Sequence, residues 1–235
     1  MRKRKEQNSL FPNEWDAFIA ALKQLRNSTS TRNYDYFTEI HTHHKHRGQA
    51  HEKYTFLPWH REYLLMFEDA LVLIDPNVTL PYWNWVTNPE IPSRLADAAE
   101  WGVIRDMNAG DRISPKRKDD VELAMKKTTY AAFHDRIDGP HGAVHVQIGG
   151  YDRIARRPIG EMADIEKSPR DILFWLHHAY LDKLWHDWGE ANPNEIPVDG
   201  PLPHNRVTAR FLPTNSFTRT TRQVLSISDL GYEYE

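Results

Sequence analysis

The residues in this chain best suited to chemistry are its histidines: 13 of them among 235 residues, with no cysteine anywhere. Imidazole is the commonest side-chain metal ligand, so the spacing decides what the enrichment means. His51 and His60 flank a short aromatic stretch, YTFLPW, and His41, His43, His44 and His46 form a dense group just before it. Further along, His141 and His145 are four apart and would share a helix face. His177 and His178 are consecutive; a helix turns them about 100° apart, so they are not expected to share one metal. Asp182 follows His178 by four residues, on the same face. The first half thus offers His51, His60 and one of the dense group. The second offers His141, His145 and one of the tandem. An all-imidazole shell suits copper, and also zinc. Thiolate ligands, disulfides and zinc ribbons are excluded. The Glu and Glu-x-x-His sets of di-iron bundles are missing. Two three-histidine centres facing each other across a helical bundle would leave positions open for a bridging ligand such as dioxygen.

These side chains need rigid supports. From Pro58 to Ile74, Leu64, Phe67, Leu71 and Ile74 recur at helical spacing, with Arg61, Glu62, Glu68 and Asp69 between them. Pro58 suits a first turn, so His60 sits at the start of this helix. Residues 11–26 repeat the pattern with Trp15, Phe18, Ile19, Leu22 and Leu25, starting at Pro12 or Asn13. Residues 34–41 read as a short helix ending at the dense histidine group. LPYWNW (80–85) reads as extended, and residues 87–129 as loops and short helices over the surface. Pro140 would start the helix carrying His141 and His145, which Gly149-Gly150 closes. Ser168 would cap the last long helix, with Pro169 and Asp171 in its first turn. The expected fold is mainly α: a four-helix bundle with long loops and little β structure.

Composition narrows the class. An apolar fraction of 40%, a charged fraction of 27% and a net charge of −3 are those of a globular protein with no global basic character for nucleic acid. No apolar run reaches membrane-spanning length and no signal peptide is present. The chain therefore reads as cytoplasmic, or secreted if a leader has been removed.

The motifs themselves carry a resemblance. HEKYTFLPWHREYLLMFEDAL with LPYWNW, and PHGAVHVQIGG with SPRDILFWLHHAYLDKLW, resemble the two metal motifs of the type-3 dicopper proteins: tyrosinases, catechol oxidases and haemocyanins. The start, the element Tyr34 to His41 and the closing Tyr232-Glu233-Tyr234 are similar to the short bacterial tyrosinases. The resemblance implies one catalytic domain over residues 1–235, without a C-terminal lid domain. It implies two copper ions, His41, His51 and His60 on the first and His141, His145 and His178 on the second. Asp182 resembles an aspartate that steadies the second site by accepting an imidazole N–H or pairing with an arginine, such as Arg2 or Arg4. The other histidines (His43, His44, His46, His134, His177, His186 and His204) are read as surface or supporting residues.

The implied reaction is oxidation of o-diphenols to o-quinones by O2, with ortho-hydroxylation of monophenols. The alternatives are a catechol or o-aminophenol oxidase without monophenolase activity and, more distantly, a haemocyanin-like oxygen carrier. Two departures bear on hydroxylation. Gly142 stands where the family commonly has asparagine, and no glutamate shortly precedes His141. Asp138 is the nearest carboxylate and becomes the candidate holder of a basic water. Val146, Met162 and Ile165 are candidates for the pocket and its mouth. A small phenol as substrate and a copper chaperone as partner complete the expectation, with no nucleic acid and no membrane.

Overall fold

The computed structural model describes residues 1–46, 49–51, 54–200, 202 and 219–235. His204 lies outside the described residues, as do the side chains of His43, His44 and His46. Six α-helices dominate the described residues, with only short strands beside them. The chain divides into two compact units, residues 1–82 with 196–235, and residues 83–195.

In the first unit, α1 (Pro12–Arg26) opens with proline in its first turn, where the missing N–H costs nothing. The Glu14 side chain accepts from the Phe11 N–H at 2.8 Å and closes that end. Its face of Trp15, Phe18, Ala21, Leu22 and Leu25 is buried and packs on α2 (Tyr34–His46) and α3 (Phe56–Ile74). The helix expected to end at His41 runs on to His46, through the dense histidine group. β1 (Arg2–Arg4) pairs in parallel with the C-terminal strand Tyr232–Tyr234.

The third helix departs from the amphipathic expectation. Every residue from Phe56 to Glu68 is buried, including Arg61, Glu62 and Glu68. Burial of these charges is tolerated because each has a dedicated counterpart. Arg61 donates to the Val224 and Leu225 carbonyls at 3.0 and 2.9 Å. Glu62 accepts Arg219 at 2.9 Å. Glu68 holds Arg4 at 2.8 Å and the Leu80 N–H at 2.8 Å. Arg4 also lies 3.7 Å over the Tyr232 ring. Both chain ends are thereby fastened to the helix that carries His60.

In the second unit, α4 (Lys116–Met125) packs against α5 (Tyr130–Gly149). The latter starts ten residues before the proline expected to begin it. Thr129 caps it, accepting from the Ala132 N–H, and Pro140 lies inside it. There the proline has no N–H to offer the Arg136 carbonyl. Gly150, at φ 76°, closes the helix in a backbone region that favours glycine. A two-residue hairpin follows, β2 (Tyr151–Asp152) against β3 (Arg157–Pro158); the C-terminal strand is β4 (Tyr232–Tyr234). Residues 94–107, within the stretch read as loops and short helices over the surface, form loops and the end of one short 3-10 turn, Ser93–Leu95. They bury Leu95, Trp101, Val103 and Met107 instead of lying on the surface. Ser168–Arg170 is a 3-10 turn rather than the first turn of α6 (Ile172–Ala191). Asp171 is the N-cap of that helix, accepting the Leu173 N–H at 2.9 Å. No helix among the described residues is long and apolar enough to cross a membrane.

Candidate metal centre

Among the described residues each unit gathers one histidine cluster, and in both clusters one ring nitrogen per residue lies within 4.8 Å of the others. The first is His41 from α2, His51 from a 3-10 turn and His60 from α3. Their rings stand 5.0 to 5.7 Å apart. The His60 Nδ1 lies 2.8 Å from the Phe56 carbonyl. A carbonyl only accepts, so the proton is on Nδ1 and the buried Nε2 keeps its lone pair for a cation. Phe56, Trp59 and Tyr63 wall the cluster, with the Phe56 and Trp59 rings 4.7 and 4.9 Å from His60. Tyr63 stacks against His41 and gives its O–H to the Phe37 carbonyl. Burial holds that phenol well above its ordinary pKa, with Tyr34 and Tyr36 adding to the effect, so it stays protonated.

The second cluster is His141 and His145 from α5 with His177 and His178 from α6. The same logic orients two of its rings. His145 Nδ1 donates to the Met162 carbonyl at 2.9 Å. His141 Nδ1 donates to the Asp138 carboxylate at 3.2 Å, a carboxylate–histidine pair of the sort that steadies metal ligands. Both leave Nε2 as the donor atom. His145 Nε2 and His178 Nε2 stand 3.1 Å apart. Metal–imidazole bonds of about 2.0–2.1 Å place adjacent donors roughly 2.9–3.4 Å apart, so the pair fits a shared cation. With at least three imidazoles per cluster and no thiolate or carboxylate donor, the sets fit copper.

A turn of about 100° separates His177 from His178 on α6, the basis for expecting that they do not share one metal. Both rings lie in the cluster, and His141 stacks on His177 at 5.6 Å with 6° between planes. His177 is held low in pKa by burial first, then by the His145 and His141 imidazoles, with the His141 carbonyl acting the other way. It therefore stays neutral.

Around the cluster, Asp182 is buried on α6. Val146 and Ile165 are 46% and 37% exposed, which leaves them accessible to a ligand. Met162, read as a mouth residue, is fully buried and reaches the site only through its carbonyl. A Cβ on Gly142 would meet nothing within 4 Å, so the position is open. The residues that sequence reasoning missed are the supports. Phe56 acts through its carbonyl, which no motif displays, and the same holds for the role of Met162, a residue expected only at the mouth. Trp85 donates its indole N–H to His177. Arg105 grips Asp171 at the start of α6.

A helical protein holding two all-imidazole centres, each able to keep a copper ion, belongs to the type-3 copper class. The comparisons make this particular. The model of the common central domain of tyrosinase matches residues 31–118 and 103–191. The tyrosinase of Streptomyces antibioticus is 32% identical, over 85% of this chain and 87% of its own length. The chain belongs to the tyrosinase family of copper oxidoreductases. A functional unit of octopus hemocyanin has the same fold, with a TM-score of 0.73 at 23% identity, covering 100% of this chain and 68% of the other. A latent aurone synthase, a polyphenol oxidase, also scores 0.73 at 18% identity, over 100% and 57%.

Proposed function

We propose that this chain is a tyrosinase, oxidising o-diphenols to o-quinones with O2 and hydroxylating small monophenols at the ortho position. The first copper is held by His41, His51 and His60, the second by His141, His145 and His178. The observation that carries the reading is the pair of imidazole-only clusters whose rings, where Nδ1 is fixed by Phe56, Asp138 or Met162, present Nε2. Bound copper supplies the exchange of electrons with O2. The chain's own part is to fix the donors, exclude bulk water with buried aromatic rings and handle the phenolic proton. A phenol with pKa near 10 is ionised in about one molecule per thousand at neutral pH. Asp138, 3.2 Å from His141 Nδ1, is the candidate carboxylate for holding a water that takes that proton. Asp182 supports the second site by accepting an imidazole N–H or pairing with an arginine, while Val146, Gly142 and Ile165 border the space for the substrate ring.

The open Gly142 favours one second reading: a catechol or o-aminophenol oxidase, lacking the side chain that would help Asp138 hold the water. Oxygen uptake by copper-loaded protein with catechol and with phenol separates the two. Uptake with both, phenol after a lag, is expected. Uptake with catechol alone would leave a diphenol oxidase. Uptake with neither, despite two bound coppers, would favour an oxygen carrier. Because no thiol is available to receive copper, the reading includes a copper-delivering partner. Full activity after loading from free copper salt would remove the reason for one.

A further inference from the structure

His177 sits among three proposed ligands, yet the geometry gives it no lone pair to offer. The Trp85 indole N–H points to His177 Nδ1 at 3.0 Å. Indole nitrogen only donates, so Nδ1 must be bare, and in a neutral ring the proton is then on Nε2. That Nε2 is buried. The one bare nitrogen is taken by Trp85 and the other carries a proton, so neither binds a cation. Trp85 is itself fixed. It is 1% exposed, its ring meets Tyr180 edge-on at 5.1 Å, and its segment is tied to α6 by the Trp83 N–H to the Leu176 carbonyl at 3.1 Å. His177 in turn lies parallel to His141 and meets His145 edge-on at 4.9 Å.

We propose that Trp85 is a positioning residue for the second copper: its indole N–H locks His177 in the Nε2–H tautomer. The lock makes His177 a wall that holds His141 and His145, and reserves coordination for His178. Two adjacent histidines on one helix otherwise compete for the same cation, with different reach and angle. The inference rests on the proposed ligand set of the second cluster. Removing a hydrogen-bond partner of a ligating histidine changes metal affinity by about 10–100-fold, and Trp85 acts on the ligands one step further out, through His177.

The test uses the full chain. In apoprotein with ring-labelled histidine, long-range 1H–15N spectra report which nitrogen of His177 is protonated. The expected result is Nε2–H in the native protein and a shift towards Nδ1–H in Trp85→Phe. Copper retained against a graded chelator is counted in parallel. Trp85→Phe is expected to release one of two coppers at about 10–100-fold lower chelator. The control Trp83→Phe removes a similar indole, bonded to the Asn88 carbonyl at 2.7 Å, without touching His177, and is expected to keep both. An Nδ1–H tautomer in the native protein, an unchanged tautomer in Trp85→Phe, or equal copper loss from both tryptophan variants would each overturn the lock. His178→Ala and His177→Ala separate the underlying reading. If His178→Ala keeps both coppers and His177→Ala loses one, the ligand assignment fails, and the lock fails with it. If the assignment survives while the tautomer does not respond, only the lock fails.

Discussion

Replacing Asp171 by asparagine isolates one charge at the start of the helix that carries His178. In the structure the Asp171 carboxylate takes a two-pronged bond from Arg105, 2.6 Å on each oxygen, and also accepts the Leu173 N–H at 2.9 Å. Arg105 donates its remaining arm to the Leu95 carbonyl at 2.6 Å. Both side chains are 0% exposed. The amide of the Asp171→Asn variant would keep the shape and the cap but leave the guanidinium buried without a counter-charge. Breaking a buried pair from one side costs about 3–5 kcal/mol, a large share of a domain's total of about 5–15 kcal/mol. For a chain of this size each kcal/mol moves Tm by about 2–4 °C, so the expected fall is about 6–20 °C. Urea and thermal unfolding of the apoprotein, followed by far-ultraviolet dichroism, measure it. Because the cap orients α6, one copper should also be retained less firmly. In the Asp171→Asn, Arg105→Met double variant the stranded charge is gone, and a good part of the loss should return. A single-variant cost below about 1 kcal/mol, or a double variant no better than the single, would refute the reasoning.

Other consequences are equally direct. Gly149→Ala would drive a Cβ into the backbone of Ala163, one residue from the Met162 carbonyl that orients His145. Chelator titration should then show one copper held about tenfold more weakly, and unchanged retention would remove Met162 from the site. Asp138→Asn should lower monophenol turnover by about a hundredfold while diphenol turnover falls little. Equal loss of both would mean that Asp138 works only by holding His141. The Glu14 carboxyl is held below its ordinary value near 4.5 by the Lys5 ammonium, with the Phe11 N–H helping and partial burial opposing. Its contribution is therefore complete above that value and lost as pH falls through the depressed folded pKa. Glu14→Gln should cost about 0.5–1 kcal/mol near neutrality, and a native-minus-variant difference that does not shrink in acid would contradict the sign.

Much of the fold was legible because helices advertise themselves. The 3.6-residue recurrence in residues 12–26, 56–74 and 172–191 is local, and so are the four-residue spacing of His141 and His145 and the lack of cysteine. These features indicate a helical protein with imidazole metal sites, and the motif resemblance indicates the family. Where local rules compete, sequence and structure part. Proline normally starts helices, so Pro140 looks like a beginning; the true signal, Thr129, stands eleven residues before it, and Tyr130, Phe133 and Ile137 continue the buried face from there. Residues 94–107 have helical composition but bury Leu95, Trp101 and Met107 mainly in loops, since their contacts are tertiary.

The sequence by itself determined which atoms were available: nitrogen donors on helices with no thiolate to compete, a set that suits copper or zinc, while copper and the kind of reaction were implied by the motif resemblance. Only the tertiary structure decided how those atoms are engaged. Arg61, Glu62 and Glu68 fall between apolar residues of α3, yet they are buried because Arg4, Arg219 and two carbonyls arrive from distant parts of the chain. His177 and His178 are indistinguishable as letters. Trp85, 92 residues before His177, marks one as a wall, while His145, 33 residues before His178, meets the other across the cluster. The physical reason is that a side chain's identity sets what it can bind, but a hydrogen bond from a remote residue sets which of its nitrogens holds the proton.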